Sequence, residues 1–328
     1  MSATPAQSPR LRAAAVRDAA ARIDPVFLHS PQFVSEPLSD ALGARLTVKL
    51  ETLNPIRSFK GRGADNLVAL LAERRESRPL LCASAGNWGQ ALAYACRKRA
   101  LPLTVFAAVG ANALKLERMT ALGATVIRQG ADFDAAKDAA RAHADATGGL
   151  LLEDGREPEI TEGHGTLAAE LTDHLGPWDD IVAPLGNGAL LNGIGLWMKH
   201  AAPGTRVVGV CSAGAPAMRD SWLAGPGAPV VTTTTAETIA DGIAVRVPVP
   251  EAVADMHGLV DAVDLVTDDD VIEAMRLAHR HLGIVLEPAG AAGLATLVAH
   301  PARYRGRDVA VVLCGGNLTQ EQMRQWLG

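Results

Sequence analysis

Val309-Ala310-Val311-Val312-Leu313-Cys314-Gly315-Gly316-Asn317 is an unbroken apolar run that stops at a glycine turn. It lacks the apolar–polar alternation of a strand with one wet face, so it reads as a strand buried on both faces, the kind found in parallel sheets. Working outward, further short runs read as strands at Leu46–Leu50, Leu80–Ser84, Leu103–Ala107, Thr125–Arg128, Asp180–Pro184 and Val207–Cys211. Longer Ala-rich amphipathic stretches read as helices. They are Gly61–Glu76, Trp88–Arg99, Asn112–Leu122, Asp132–Ala146 and Thr161–Leu175, then Leu190–His200, Asp268–Leu282, Ala289–Ala299 and Thr319–Leu327. Such alternation predicts an α/β fold with a largely parallel sheet.

The 328 residues suggest about two domains. With 48% hydrophobic residues the chain can bury a core, and its charge of −5 and 4% aromatic content argue against a nucleic-acid binder. No run approaches the ~20 apolar residues of a membrane helix. Arg10–Ile23 mixes Arg with Ala, which reads as an amphipathic helix and not as a secretory signal. Cys82, Cys96, Cys211 and Cys314 form no CxxC, which points to reduced thiols in the cytoplasm. The histidines form no HExxH, and no metal site is expected.

Three glycine turns follow strands: Ser84-Ala85-Gly86-Asn87, Gly186-Asn187-Gly188 and Cys314-Gly315-Gly316-Asn317. Ligands of open α/β sheets sit beyond the carboxyl ends of strands, so the three turns are expected to meet at one cleft. Taken singly, each is ordinary turn chemistry. The chain has no Walker motif, and Gly186-Asn187-Gly188-Ala189-Leu190-Leu191 lacks the third glycine of a dinucleotide loop. A single phosphate, held by backbone N–H groups at a helix start, remains open to it.

A carbonyl cofactor held as an imine requires a lysine. The candidates are Lys49, Lys60, Lys98, Lys115, Lys137 and Lys199. Lys98, Lys115, Lys137 and Lys199 read as surface lysines, and Lys49, two residues before Glu51, as half of an ion pair. Lys60 stands apart because it follows Ser58-Phe59 and opens the turn Gly61-Arg62-Gly63. Spacing alone leaves the choice open.

The segment Glu51-Thr52-Leu53-Asn54-Pro55-Ile56-Arg57-Ser58-Phe59-Lys60-Gly61-Arg62-Gly63-Ala64 resembles the lysine segment of the fold-type II pyridoxal-phosphate enzymes. Ser84 to Ala91 is similar to their SxGNxxxA substrate loop. Glu162-Gly163-His164-Gly165-Thr166, Asp241-Gly242-Ile243-Ala244-Val245 and Glu287-Pro288-Ala289-Gly290-Ala291-Ala292 resemble the threonine/serine dehydratase branch, and Cys314-Gly315-Gly316-Asn317 its [S/C]GGN turn. These six motifs run in the family's order from Glu51 to Asn317.

The resemblance implies two open, mostly parallel sheets flanked by helices. A large cofactor domain would span 1–77 and 159–328, and a small mobile domain 78–158. It implies pyridoxal 5′-phosphate as cofactor, with Lys60 as the Schiff-base lysine and α-proton base and Ser84 as its catalytic companion. Phe59 would lie beside the ring and Asn87 would bond its 3′-oxygen. Gly186, Asn187, Gly188, Ala189 and Leu190 would cradle the phosphate. Cys314 would face the pyridine nitrogen, and Glu287 would belong to the cofactor wall. Substrate would meet Ser84, Ala85, Gly86, Asn87, Trp88 and Gly242. A neutral thiol at Cys314 leaves the ring nitrogen unprotonated, which suits β-elimination.

Departures from the family pattern matter too. Ala85 stands where serine racemases carry a second hydroxyl, which weighs against a dedicated racemase. Cys211 stands where relatives often place a cation-binding glutamate. Trp88 replaces a common histidine. The chain ends about one helix after Cys314, so no C-terminal regulatory domain is expected. The expected activity is a dehydratase, or ammonia-lyase, on L-threonine or L-serine. Phenylserine is the bulkier alternative, and a threonine synthase or β-replacement enzyme the other. The cofactor phosphate is the expected acid for the leaving hydroxide. The expected assembly is a cytoplasmic homodimer with a small amino-acid substrate.

Overall fold

Val309 to Leu313 lies at the heart of a six-stranded sheet. Its side chains alternate between two buried cores: Ala310 and Val312 face one, Val309, Val311 and Leu313 the other. Burial on both faces is why the run carries no polar residue. The computed structural model describes residues 10–111 and 113–328. Asn112, the expected start of one helix, and the first nine residues of the expected large domain lie outside the described residues.

The elements run in chain order from α1 (Ala13–Arg22), β1 (Gln32–Val34), α2 (Glu36–Leu42) and β2 (Arg45–Leu50) to α3 (Lys60–Glu73). Next come β3 (Leu80–Ala83), α4 (Asn87–Lys98), β4 (Leu103–Ala107), α5 (Ala113–Ala121), β5 (Thr125–Arg128), α6 (Phe133–Thr147) and β6 (Leu150–Leu151). Then follow α7 (Pro158–His174), β7 (Asp180–Pro184), α8 (Ala189–Ala201), β8 (Arg206–Ser212), α9 (Ala217–Leu223), α10 (Pro250–Met256) and β9 (Ala262–Val266). The chain closes with α11 (Asp268–Leu282), α12 (Pro288–Ala299), α13 (Pro301–Tyr304), β10 (Asp308–Leu313) and α14 (Gln320–Leu327).

The larger sheet has the order β1-β2-β10-β7-β8-β9, parallel except for the antiparallel edge pair β1–β2. The second sheet, β5-β4-β3-β6, is parallel throughout and built from residues 80–151. Helices cover both sheets, as parallel strands require. Local signals set several helix ends. Thr267 and Asp270 form a capping box at α11, Thr319 and Gln322 do so at α14, and Gly283 ends α11 in the left-handed region.

Seven elements escape the sequence pattern: β1, β6, β9 and the short helices α2, α9, α10 and α13. β1 and β6 have three and two residues, too short for a periodicity. The seven-residue α2 starts on a Ser35 cap and stops at Gly43. β9 carries a buried Asp264 at its centre, which accepts from Thr296 and Tyr304 and pairs with Arg303. Those three donors come from α12 and α13, so a polar residue is tolerated where the sequence promised none. The helices α3 and α7 approach closely because Gly63 and Gly163 meet: a Cβ on Gly163 would lie 2.8 Å from the Gly63 Cα.

Candidate active site

The turns after β3, β7 and β10 open into one cavity of about 500 Å³. Phe59, Lys60, Ser84 to Trp88, Gly186 to Leu190, Gly242, Glu287 and Cys314 all line it. The structure therefore brings together every residue the sequence reading named for the site.

Lys60 is placed by the loop before it. The Asn54 side chain accepts from the N–H groups of Ile56 and Ser58 and donates to the carbonyls of Glu51 and Ser58. The Phe59 N–H donates to the Cys314 carbonyl at 3.0 Å, and the Gly316 N–H to the Arg57 carbonyl at 2.9 Å. Lys60, the first residue of α3, is thus stitched to the Cys314 turn. Behind it the fully buried Arg62 guanidinium bonds Glu51 and Glu170 in fork geometry. Lys49 does form an ion pair, but with Glu170 at 2.6 Å, because Arg62 already occupies Glu51. The Lys60 Nζ sits 4.5 Å from the Phe59 ring centroid and 2.5 Å from Asp154 Oδ2.

In the turn after β3, the Ser84 hydroxyl oxygen accepts from the N–H groups of Gly86 at 3.2 Å and Gly89 at 2.9 Å. This holds the start of α4 open to the cavity, where the first N–H groups of a helix lack intrahelical partners. Asn87 donates to Glu287 Oε1 at 2.5 Å and accepts from the Asn317 amide at 2.8 Å, while Arg118 donates to Asn317 at 2.9 Å. Burial, with the Asp241 charge adding to it and Lys115 and Asn87 opposing, pushes the Glu287 carboxyl up to about 7. The Trp88 indole lies in the wall and donates to the Leu152 carbonyl at 3.4 Å.

In the turn after β7, Gly188 takes a φ of 94°, a left-handed backbone that glycine adopts freely. It caps α8 without any side-chain cap, so Ala189 and Leu190 present backbone N–H groups at an open helix start. The Gly242 carbonyl backs this turn: a Cβ on Gly186 would lie 2.7 Å from it. Burial, with the Glu287 charge adding, pushes the Cys314 thiol well above its usual range, so it is neutral.

Several cavity residues lie outside the sequence reading. Asp154 is one. Lys115 and Lys137, read as surface lysines, turn inward, with side chains 12% and 21% exposed. They pair with Asp241 and Glu153, and Arg246 pairs with Asp132 and Asp134. Asp154 follows the two-residue β6 and so obeys the strand-end rule, but β6 itself leaves no readable pattern. His164 is buried in α7 behind the cavity, with its ring edge-on to Phe59 at 4.8 Å.

The sequence matches the pyridoxal-phosphate dependent enzyme family over residues 25–315. The chain belongs to that family. Among family members it is 32% identical to the L-threonine ammonia-lyase of Thermotoga maritima over 87% of this chain and 70% of the relative. It is 29% identical to the L-threo-3-hydroxyaspartate ammonia-lyase of Saccharomyces cerevisiae over 94% and 93%. Its fold is similar to that of maize serine racemase, with a TM-score of 0.87 at 26% identity over 96% of each chain. Processed threonine deaminase isoform 2 of Solanum lycopersicum gives 0.87 at 26% identity over 99% and 97%.

The residues present fit the family's cofactor, pyridoxal phosphate. A lysine amine, an uncapped helix start suited to a phosphate, a neutral buried thiol and an amide with an N–H to spare all face one cavity. Among the described residues, no helix is long and apolar enough to cross a membrane.

Proposed function

We propose that the protein is a hydroxy amino acid ammonia-lyase. It takes a β-hydroxy-α-amino acid of the L-threonine or L-serine kind to a 2-oxo acid and ammonia by β-elimination. The observation that carries this reading is the buried, neutral Cys314 thiol on the wall that also holds Lys60. Bound pyridoxal phosphate supplies the electron sink for the α-carbon. Lys60 would hold the cofactor through Nζ and, once released, take the α-proton there. Cys314 would face the ring nitrogen as a neutral group, Asn87 and Glu287 would border the ring, and the backbone N–H groups of the turn Gly186–Leu190 would hold the phosphate. The Ser84 loop and the first N–H groups of α4 receive the substrate carboxylate.

Residues 78–158 act as the small domain that closes on the substrate and sheds water. Three ion pairs across the cavity support this: Lys115 with Asp241, and Arg246 with Asp132 and Asp134. A bulkier substrate such as phenylserine is the second reading, favoured by the cavity of about 500 Å³ with Trp88 in its wall. We place the enzyme in the cytoplasm, since all four cysteines are unpaired and buried, and we take it to be a homodimer on the resemblance to its family; light scattering reads the assembly.

The test is a 2-oxo acid release screen over serine, threonine, phenylserine and hydroxyaspartate, with both enantiomers at each centre. Ammonia release from a β-hydroxy amino acid supports the reading. Exchange of the β-substituent with an added nucleophile, without ammonia, replaces it with a synthase.

A further inference from the structure

Asp154 is the acid of the cavity to which the proposed reaction gives no task. The residue is 7% exposed, and its Oδ2 lies 2.5 Å from the Lys60 Nζ. Its Oδ1 is buried without any hydrogen-bond partner. Other carboxylates of the wall are committed elsewhere: Asp134 to Arg246, Asp241 to Lys115, Glu153 to Lys137 and Arg156, Glu287 to Asn87. Among the described residues Asp154 has Lys60 on Oδ2 and nothing on Oδ1.

A carboxylate in a nearly dry wall is costly unless donors reach it. Whether Lys60 is held by the cofactor or released to act as the base, Oδ1 has no partner among the described residues. The group that arrives next is the substrate. A donor on its β-carbon, such as a hydroxyl, satisfies the carboxylate; a second carboxylate there meets like charge. The cations Lys115, Lys137 and Arg246 give no relief, each being already paired with an acid.

We infer that Asp154 is a specificity-determining residue that accepts a hydrogen bond from the donor on the substrate's β-carbon and excludes substrates carrying a carboxylate at that carbon. This rests on the β-elimination reading and narrows it. Substrates are β-hydroxy amino acids with an uncharged side chain, and hydroxyaspartate, the compound in the yeast relative's name, is disfavoured.

The test uses ligands that bind but cannot react, because they lack an α-proton. α-Methylserine and 2-aminoisobutyrate differ only by the β-hydroxyl, and α-methylaspartate adds a carboxylate. Binding to the cofactor-loaded enzyme is read from the change in cofactor absorption. A hydrogen bond to a charged group predicts that the native enzyme binds α-methylserine about tenfold or more tighter than 2-aminoisobutyrate. In Asp154→Ala that ratio is expected to fall to about twofold or less by loss of the same hydrogen bond, and in Asp154→Asn, whose amide oxygen still accepts but without charge, to an intermediate value. Binding of 2-aminoisobutyrate should hold and that of α-methylaspartate improve, and Asp154→Glu should restore part of the preference. The isosteric Asn variant guards against misfolding, with cofactor content and melting temperature as controls.

An unchanged ratio in the Asn and Ala variants overturns the inference, as does a native enzyme that binds the first two ligands equally or binds neither. Failure of the parent reading shows separately in the 2-oxo acid screen. An enzyme that releases no 2-oxo acid yet loses its hydroxyl preference on Asp154→Ala keeps this role for Asp154 and loses the lyase reading.

Discussion

The amide nitrogen of Asn87 lies 2.5 Å from Oε1 of Glu287, joining residues 200 positions apart. Asn87 opens α4, beside the smaller sheet, and Glu287 caps α12, which packs on the larger one. The bond therefore bridges the cavity at the place proposed for the edge of the cofactor ring. It also makes a titrating carboxyl part of the site.

The pH dependence of stability follows from that carboxyl. Burial pushes Glu287 up to about 7 from the ordinary 4.5. Below the ordinary value the folded and unfolded chains both hold the proton, and Glu287 contributes nothing. Between the two values the unfolded chain has released it and the folded chain has not, so stability falls as pH rises. Above about 7 the cost is complete, on the order of 3 kcal/mol at most. Glu287→Gln removes this slope, so its stability relative to the native enzyme is expected to rise from about pH 5 to about pH 8. Urea unfolding at both pH values checks it; a constant difference contradicts the burial argument.

Lys60→Ala is expected to abolish turnover and cofactor attachment while leaving the fold intact, since Arg62 and not Lys60 anchors α3 in the buried ion network. Borohydride reduction and peptide mapping on the native protein should label Lys60. A label on Lys49, Lys115 or Lys137 would reassign the site.

Cys314→Ser is expected to keep substantial activity, because one neutral group replaces another. Cys314→Asp should slow elimination at least about tenfold, by protonating the ring nitrogen and altering the fate of the carbanion. Steady-state kinetics on serine or threonine reads both; equal rates for all three proteins mean that Cys314 does not face the ring.

Gly290→Ala tests the packing that places the Cys314 turn. A Cβ there would lie 2.2 Å from the Gly315 carbonyl oxygen and 2.7 Å from its nitrogen, backbone atoms that cannot swing aside. The expected cost is about 1–3 kcal/mol or more, with weakened cofactor binding. Thermal unfolding and cofactor titration measure the two effects, and a fully stable variant would show that the turn can slide.

Much of the architecture is local and was legible. Strands such as Val309–Leu313 announce themselves because burial on both faces bars polar residues. The three glycine turns could be placed because a turn after a strand needs particular backbone freedom wherever it occurs. The six ordered motifs singled out Lys60 for the same reason, since the chemistry demands a fixed local wording around the lysine.

The chain alone thus determined the α/β class and the strand-end turns, and it singled out Lys60 as the candidate lysine. Tertiary structure decided which charges meet. Asp154 reaches Lys60 across 94 positions, and Lys49 finds Glu170 across 121 and not its neighbour Glu51. It also turned Lys115 and Lys137 from the surface into the cavity, and made room for Asp264 at the centre of β9. An ion pair or a buried acid depends on which elements the topology lays side by side, and on how little water is left between them. Residue order along the chain carries neither quantity, because both arise only once the two sheets have packed and the wall of the cavity exists.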